Sequence, residues 1–182
     1  MDIRELTPGG DEAVARALLR IQRAAYAVEA TLIGDDRIPT LHESLDDLQR
    51  APLRWLGAVV AGGGSVAGPT EAASSRAPEP ADRLVGAVAW TEEATTLDID
   101  RLVVDPVAHR RGIGRALVDA VLTRAGDRTV VVATGRANRP ARALYESFGF
   151  AALGDAEPVP GLWITRYARP GADGRAAATR SA

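Results

Sequence analysis

The sequence of 182 residues contains no cysteine and no lysine, and it has only two histidines, His42 and His109. The lack of cysteine excludes disulfides, thiolate metal sites and cysteine nucleophiles. Two histidines are too few for a histidine-based zinc site, so no metal is expected, and only a carboxylate-rich site stays open. Because lysine is absent, arginine supplies every basic side chain apart from the histidines.

The chain also lacks a strong charge and a long apolar run. Its formal net charge is -2, which predicts no broad basic surface and no nucleic-acid partner. No apolar run is long enough to span a bilayer, and the first residues lack the pattern of a secretion signal. The sequence therefore predicts a cytoplasmic protein with no membrane partner.

The composition predicts one domain over residues 1–169, since 46% of the residues are hydrophobic and 25% are charged. Residues 61–82 are mostly Gly, Ala, Ser, Pro and Glu and cannot bury enough apolar surface to offset the entropy of ordering. We expect a flexible insertion there between two strands, either an inert linker or a lid. The small and polar residues 170–182 predict a disordered tail.

The hydrophobic periodicity predicts a mixed α/β sheet with helices on both faces. The expected order is strand, helix, helix, three strands, helix, strand, helix, two strands. The predicted strands cover residues 3–7, 55–60, 84–90, 95–104, 129–133, 150–153 and 162–167. Helices are expected from Asp11 to Gly34, from Ser44 to Pro52, and over residues 112–125 and 139–148. The first helix carries a stripe at helical spacing: Val14, Leu18, Ile21, Ala25, Val28 and Leu32.

A glycine-containing turn, Gly112-Ile113-Gly114, follows the predicted strand 95–104 and opens a helix. A helix start leaves backbone N–H groups without partners and attracts anions, and glycine lets phosphate oxygens approach closely. Basic side chains surround this turn: His109, Arg110, Arg111 and Arg115. The pattern alone also fits an ordinary strand-to-helix turn. A dinucleotide-binding turn would need a third glycine where Leu117 stands, and a P-loop would need lysine.

Together with a second motif, this turn resembles the GNAT superfamily of N-acetyltransferases. The phosphate motif of the family falls on His109, Gly112 and Gly114, with histidine where the family has Arg or Gln. The second motif falls on the following helix, at Asn138, Ala141, Tyr145, Gly149 and Phe150. The likeness covers residues 1–169 in element order and is strongest from Leu102 to Phe150.

The resemblance implies acetyl-CoA as the cosubstrate. A bulged strand ending in Leu102, Val103 and Val104 would pair its backbone with pantetheine, and two parallel strands ending near Val104 and Ala133 would splay to admit it. Asn138 would touch the pantetheine arm, cap its helix, or do both. The implied cofactor-binding residues are Leu102, Val103, Val104, His109, Arg110, Arg111, Gly112, Ile113, Gly114, Arg115, Asn138, Ala141 and Tyr145.

The resemblance also implies that Tyr145 is the general acid, although a packed helix tyrosine is the alternative. The amine must lose a proton before it attacks, and the glutamate that some relatives use is replaced by Ala133. Glu29 is one candidate base, and Asp100, or Asp98 on the same face of its strand, is the other. Side chains alternate along a strand, so Asp98 and Asp100 are expected on one face and Leu97, Ile99 and Arg101 on the other.

The implied function is transfer of an acetyl group from acetyl-CoA to a primary amine by direct attack. The acceptor is a small-molecule or peptide amine that the sequence does not identify, and the protein is expected to be a monomer or a homodimer. Two other functions stay open: a non-catalytic acyl-CoA-binding or regulatory module on the same fold, and a nucleotide-binding domain.

Overall fold

The computed structural model of the protein describes residues 1–61 and 82–171. The predicted insertion 61–82 and tail 170–182 lie outside the described residues except at their edges. The strands are β1 (Asp2–Leu6), β2 (Arg54–Val60), β3 (Arg83–Glu92), β4 (Thr96–Val104), β5 (Thr129–Gly135), β6 (Ala151–Val159) and β7 (Leu162–Arg169). The helices are α1 (Glu12–Ile33), α2 (Leu45–Arg50), α3 (Ile113–Ala125) and α4 (Arg139–Ser147).

The strands form one sheet in the order β1-β2-β3-β4-β5-β7-β6. Every neighbouring pair is antiparallel except β4 and β5, which are parallel. The predicted mixed sheet and order of elements are confirmed. Within the described part of the chain, no helix has the length and apolar character needed to cross a membrane.

Helices cover both faces of the sheet and produce two apolar cores. On one face, α1 and α2 bury Leu18, Ile21 and Leu48 against Trp55 of β2. On the other face, α3 and α4 pack on the sheet through a larger set that includes Leu117, Val118, Val121, Tyr145 and Phe150. Each fully buried Leu or Ile side chain contributes about 1.5–3 kcal/mol relative to an exposed one. The two cores fix the helices that border the site.

The predicted boundaries of the first two helices are confirmed by their caps. The Asp11 carboxylate accepts a hydrogen bond from the Val14 N–H at 3.1 Å, and α1 ends at Gly34, whose φ is 71°. Ser44 and Asp47 form a reciprocal capping box at the start of α2. Such caps satisfy helix-end groups that would otherwise lack partners.

The last turns of α1 depart from the predicted apolar stripe. Val28 and Leu32 are 38% and 47% exposed, whereas Leu18 and Ile21 are buried. Because the end of α1 passes beside an open cleft and not over a continuous sheet surface, its apolar residues line that cleft. Helical spacing identified the apolar face of α1 correctly, and the open cleft explains why Val28 and Leu32 on that face are exposed.

Strand β6 is longer than predicted, since it runs to Val159 and not only to residue 153. Gly154 and Pro158 interrupt the apolar pattern that the prediction used. Pairing with β7 continues past both, and two shifts of register, between Ala152 and Gly154 and between Ala156 and Val159, absorb the irregular residues. The tertiary partner therefore overrides the local sequence signal.

A bulge in β4 corrects the predicted alternation of its side chains. Arg101 pairs with Ala89 and Ile99 pairs with Trp90, so Asp100 is an extra residue between them. An extra residue reverses which face the following side chains occupy. Ile99 consequently packs in the core under α3, whereas Arg101 lies on the α1 side, over the ring of Trp55.

Candidate active site

Strands β4 and β5 separate halfway along their length. Their parallel pairing extends from Thr96 with Thr129 to Ile99 with Val132 and goes no further. Among the described residues, β4 beyond this point pairs only with β3, and β5 pairs only with β7. The bulge at Asp100 coincides with the separation, which confirms the predicted splay and opens a gap in the middle of the sheet.

Two cavities meet at this gap. One is a cleft of about 730 Å³ between the end of α1, the end of β4 and the starts of α3 and α4. The other is a chamber of about 250 Å³ between α1, the loop after it, β5 and the turn joining β6 to β7. The cleft and the chamber share five wall residues: Tyr26, Glu29, Leu102, Asn138 and Ala141.

The turn before α3 forms a cradle of backbone N–H groups at one end of the cleft. Arg110 has φ 64° and Gly112 has φ 77°, both in the left-handed region. The N–H groups from Arg110 to Arg115 donate to no residue in the described part of the chain. Successive free N–H groups at a helix start bind anions such as phosphate, so a pyrophosphate fits this cradle.

The side chain of His109 supports the turn. Its Nε2 atom lies 3.1 Å from the backbone oxygen of Val104, the last residue of β4. The imidazole therefore links the strand to the turn and leaves the contact with an anion to the neighbouring backbone.

The Asp105 side chain also stabilises this turn. Its buried carboxylate accepts hydrogen bonds from the N–H of Val107 at 3.2 Å, from Arg83 at 2.8 Å and from Arg20 at 3.2 Å. Burial alone would raise the pKa of Asp105, but these hydrogen bonds outweigh burial and keep the pKa below its ordinary value. The carboxylate thus fastens α1 and β3 to the approach of the cradle.

Most residues predicted to bind the cofactor line the cleft: Leu102, Val103, Val104, His109, Arg110, Gly112, Ile113, Gly114, Arg115, Asn138 and Ala141. Arg111 instead borders a separate hollow beside Arg83 and Met1. Tyr145 lines the chamber and not the cleft. Arg115 reaches across to α4, where it donates to Ser147 at 3.3 Å and lies over the Phe148 ring.

Asn138 caps α4 and retains a free donor. Its side-chain oxygen accepts from the Ala141 N–H at 3.2 Å, so the predicted cap is present. Its side-chain nitrogen donates to no residue that the structure describes. Because Asn138 borders both cavities, this nitrogen is available to an amide carbonyl in the cleft, which fits a pantetheine arm.

Glu29 brings a carboxylate from the end of α1 to the junction of the two cavities. One carboxylate oxygen accepts from the backbone N–H of Gly135 at 3.2 Å and from the hydroxyl of Thr134 at 3.4 Å. Both partners belong to β5, directly after Ala133. The predicted base candidate therefore lies beside the strand position at which some family members carry their own glutamate.

Tyr145 is buried on α4 and lines the chamber. Its ring contacts Phe150 edge-on at 5.6 Å and Tyr167 at 6.2 Å. Its hydroxyl makes no hydrogen bond with any described residue. Burial, followed by the charges of Tyr26 and Glu29, raises the pKa of Tyr145 well above its ordinary value, so the phenol keeps its proton at neutral pH.

Asp100, the other predicted base, also lines the chamber but is already paired. Its carboxylate lies 2.6 Å from Nε of Arg101, and Arg101 also reaches Glu43 at 2.6 Å and Gln22 at 3.0 Å. The guanidinium competes with any amine for the Asp100 carboxylate. Asp98 borders neither cavity, and burial and the nearby charge of Asp100 raise its pKa.

The sequence analysis missed Tyr26, whose side chain borders both cavities. Burial raises its pKa to about 12. Tyr26 lies three residues before Glu29 on α1, a spacing that places two side chains on one helix face. That spacing was the available signal, and it would have paired Tyr26 with the candidate base.

Comparisons with known proteins agree with this geometry. A family model described as an acetyltransferase (GNAT) domain matches residues 72–169. The protein YqkA of Bacillus subtilis (strain 168), of family UPF0157, is 31% identical over 155 residues, which are 85% of this chain and 39% of that protein. The chain thus spans about two fifths of the length of this curated relative.

Two solved structures share the fold. The ribosomal-protein-S18-alanine N-acetyltransferase from Escherichia coli superposes with a TM-score of 0.62 at 17% identity, covering 93% of this chain and 92% of that one. An aminoglycoside 6'-N-acetyltransferase complexed with coenzyme A gives a TM-score of 0.63 at 14% identity, covering 93% and 97%. With the matching family model, the splayed strands and the N–H cradle, the chain belongs to the GNAT acetyltransferase family.

Proposed function

We propose that this protein transfers an acetyl group from acetyl-CoA to a primary amine by direct attack. One observation carries the proposal: the Glu29 carboxylate lies where the cleft and the chamber share their walls. A donor in the cleft and an acceptor in the chamber would meet beside this carboxylate and near the Tyr145 hydroxyl. Holding two reactants in such an arrangement is itself a large part of catalysis.

The cleft supplies contacts for each part of acetyl-CoA. The N–H groups from Arg110 to Arg115 receive the pyrophosphate, and the unpaired end of β4 at Leu102–Val104 faces the pantetheine arm. Asn138 offers its amide N–H to the same arm. When bound, acetyl-CoA provides the thioester whose carbonyl carbon the amine attacks and whose C–S bond breaks.

Glu29 serves as the general base. An amine is mostly protonated at neutral pH, and only its neutral form has the lone pair needed for attack. The carboxylate takes this proton directly or through one water molecule. The N–H of Gly135 and the hydroxyl of Thr134 hold one carboxylate oxygen, which leaves the other for the proton.

Tyr145 serves as the acid. The phenol remains protonated because burial raises its pKa, and its hydroxyl is free to donate toward the departing sulfur. The electron pair of the breaking C–S bond goes to sulfur, and the proton comes from the phenol. The amine nitrogen carries a positive charge after the attack, and it loses a second proton to solvent to give the neutral amide. Return of the proton held by Glu29 to Tyr145, by way of solvent or Tyr26, restores the protein, so that on balance one proton reaches the sulfur and one is released to solvent.

The two other functions lack support at particular positions. A nucleotide-binding domain would not need the apolar chamber that lies beyond the separation of β4 and β5. A binding module that only holds acyl-CoA has no use for a carboxylate and a buried phenol at the junction of the two cavities.

Calorimetric titration of the purified protein with acetyl-CoA, NAD and ATP tests the proposal. We expect acetyl-CoA to bind at micromolar concentration and the two nucleotides at least tenfold more weakly. Only acetyl-CoA carries a pantetheine arm that can fill the cleft beside the end of β4. Binding of NAD or ATP in preference to acetyl-CoA would refute it.

A further inference from the structure

We propose that the acceptor is a compact primary amine with an apolar body, a single positive charge and no carboxylate. This inference rests on the proposed function and concerns the chamber of about 250 Å³. That volume corresponds to roughly eight water molecules, which is below the usual range for pockets that hold drug-sized ligands. A group of a few carbon atoms fills it.

The walls of the chamber are mainly apolar. Ile33 and Ile38 come from the end of α1 and the loop after it, Val132 comes from β5, and Leu162 and Ile164 come from β7. A hydrocarbon body would be removed from water there, and the gain in binding grows with each CH₂ group that is buried. A polar or charged tail that lay against these apolar side chains would lose its water without gaining a partner there, so its desolvation would weaken binding.

The charges of the chamber match one ammonium group. Among the described residues that line it, Glu29 is a carboxylate with no cationic partner, whereas Asp100 is paired with Arg101. Arg101 is in turn paired with two carboxylates, those of Asp100 and Glu43. One ammonium therefore gains the full opposite charge of Glu29, a second ammonium has to compete with Arg101 for Asp100, and a carboxylate on the substrate meets Glu29 with no unpaired cation among the described wall residues.

A bridge joins the two loops at Ile38 and Val159, two residues of the chamber wall. Arg37 donates to the backbone oxygen of Pro160 at 3.0 Å, and the Asp35 carboxylate holds Arg37 at 2.6 Å and 2.9 Å. The bridge joins the loop after α1 to the turn between β6 and β7. It holds these two loops together, and Arg37 is already paired with Asp35.

A panel of matched acceptors tests the inference, with thiol release from acetyl-CoA as the readout. The protein contributes no thiol of its own because it has no cysteine. We compare 3-methylbutylamine with putrescine, which adds a second amine, and leucinamide with leucine, which adds a carboxylate. In each pair we expect kcat/KM to be about tenfold or more higher for the member without the added charge. Spermidine and kanamycin are expected to be poorer still.

A variant tests whether the chamber is what discriminates between amines with one and with two positive charges. Val159→Asp adds a carboxylate to the wall at the end of β6, at a half-buried position. We expect the ratio of kcat/KM for putrescine to that for 3-methylbutylamine to rise about tenfold or more, since the second ammonium gains a partner. Leu153→Asp is the matched control, because Leu153 lies on the same strand, is 66% exposed and borders neither cavity.

The outcomes separate this inference from the proposed function. If acetyl-CoA binds and putrescine, spermidine, kanamycin or leucine is the preferred acceptor, the substrate class is wrong and the proposed function stands. If acetyl-CoA binds and no acceptor of the panel is acetylated, the substrate class is also wrong. If acetyl-CoA does not bind, both fail.

Discussion

The Glu29 carboxylate accepts a hydrogen bond from the backbone N–H of Gly135 at 3.2 Å, which joins the end of α1 to the end of β5 across the mouth of the splay. The approach is close, because a Cβ added at Gly135 would lie 2.7 Å from Ile33 and 3.1 Å from the Glu29 carboxylate. Glycine at this position therefore lets a helix carboxylate reach the backbone of β5.

The substitution Glu29→Gln tests the role of this residue as base. The side-chain amide oxygen of the variant would still accept from Gly135, so the fold and the shape of the cavity should be retained. We expect kcat to fall about 100-fold or more with a much smaller change in KM for acetyl-CoA. Glu12→Gln on the same helix, whose carboxylate pairs only with exposed Arg16, is the control and should keep full activity. Full activity of the Glu29 variant would exclude this residue as the base.

Tyr145→Phe should lower turnover, whereas Tyr167→Phe should lower stability. The Tyr145 hydroxyl bonds to no described residue, so its loss should leave stability unchanged and lower kcat about 10- to 100-fold. The Tyr167 hydroxyl bonds Arg142 at 2.9 Å and Glu146 at 3.0 Å, so its loss should lower the free energy of unfolding by about 1–3 kcal/mol. Thermal unfolding and steady-state kinetics measure both. Unchanged turnover of the Tyr145 variant would remove it from the mechanism.

Local sequence patterns predicted the glycine turn before α3, the Asn138 cap and the order of elements. Each of these features depends on a short segment whose residues meet a clear physical requirement. The splay could be inferred only through the resemblance, because the separation of β4 from β5 depends on partners that are distant in sequence.

The acceptor side was much less predictable for the same reason. Its walls come from α1, the loop after it, β5 and the turn between β6 and β7, and no segment alone indicates a chamber. The bulge at Asp100 also reversed the face assigned to Arg101, since one extra residue in a strand leaves no mark in the alternation of side chains.

Gly112→Ala tests the anion cradle. Alanine at φ 77° is strained by about 1–2 kcal/mol, and relief of the strain would turn the N–H groups away from the phosphates. We expect the Kd for acetyl-CoA to rise about tenfold in calorimetric titration. Gly126→Ala is the matched control, because Gly126 also has positive φ but lies at the opposite end of α3. The control should lose stability and keep its affinity, and equal loss of affinity in both variants would contradict the assignment of the cradle.

Asp105 should make stability depend on pH in the acid range. Because its pKa in the folded protein lies below the unfolded value of about 3.9, its contribution is present above about pH 4 and is lost as the pH falls through the folded pKa. Asp105→Asn should lower the free energy of unfolding by about 1–3 kcal/mol at pH 7 and by less at pH 3, which lies below the unfolded pKa.

Chemical denaturation at both pH values measures this difference. Asp46→Asn is the control, since its exposed pair with Arg50 contributes at most about 0.5 kcal/mol at either pH. An equal loss of stability for the Asp105 variant at pH 7 and pH 3 would rule out the carboxylate as its source.

The most direct test of direct acetyl transfer is to incubate the protein with acetyl-CoA and 3-methylbutylamine or leucinamide, and to follow both products and the protein by mass spectrometry. The account predicts one free thiol for each N-acetylated amine, no thiol release without the amine, and no acetyl group on the protein at any time. An acetyl group on the protein, or thiol release in the absence of the amine, would contradict direct transfer.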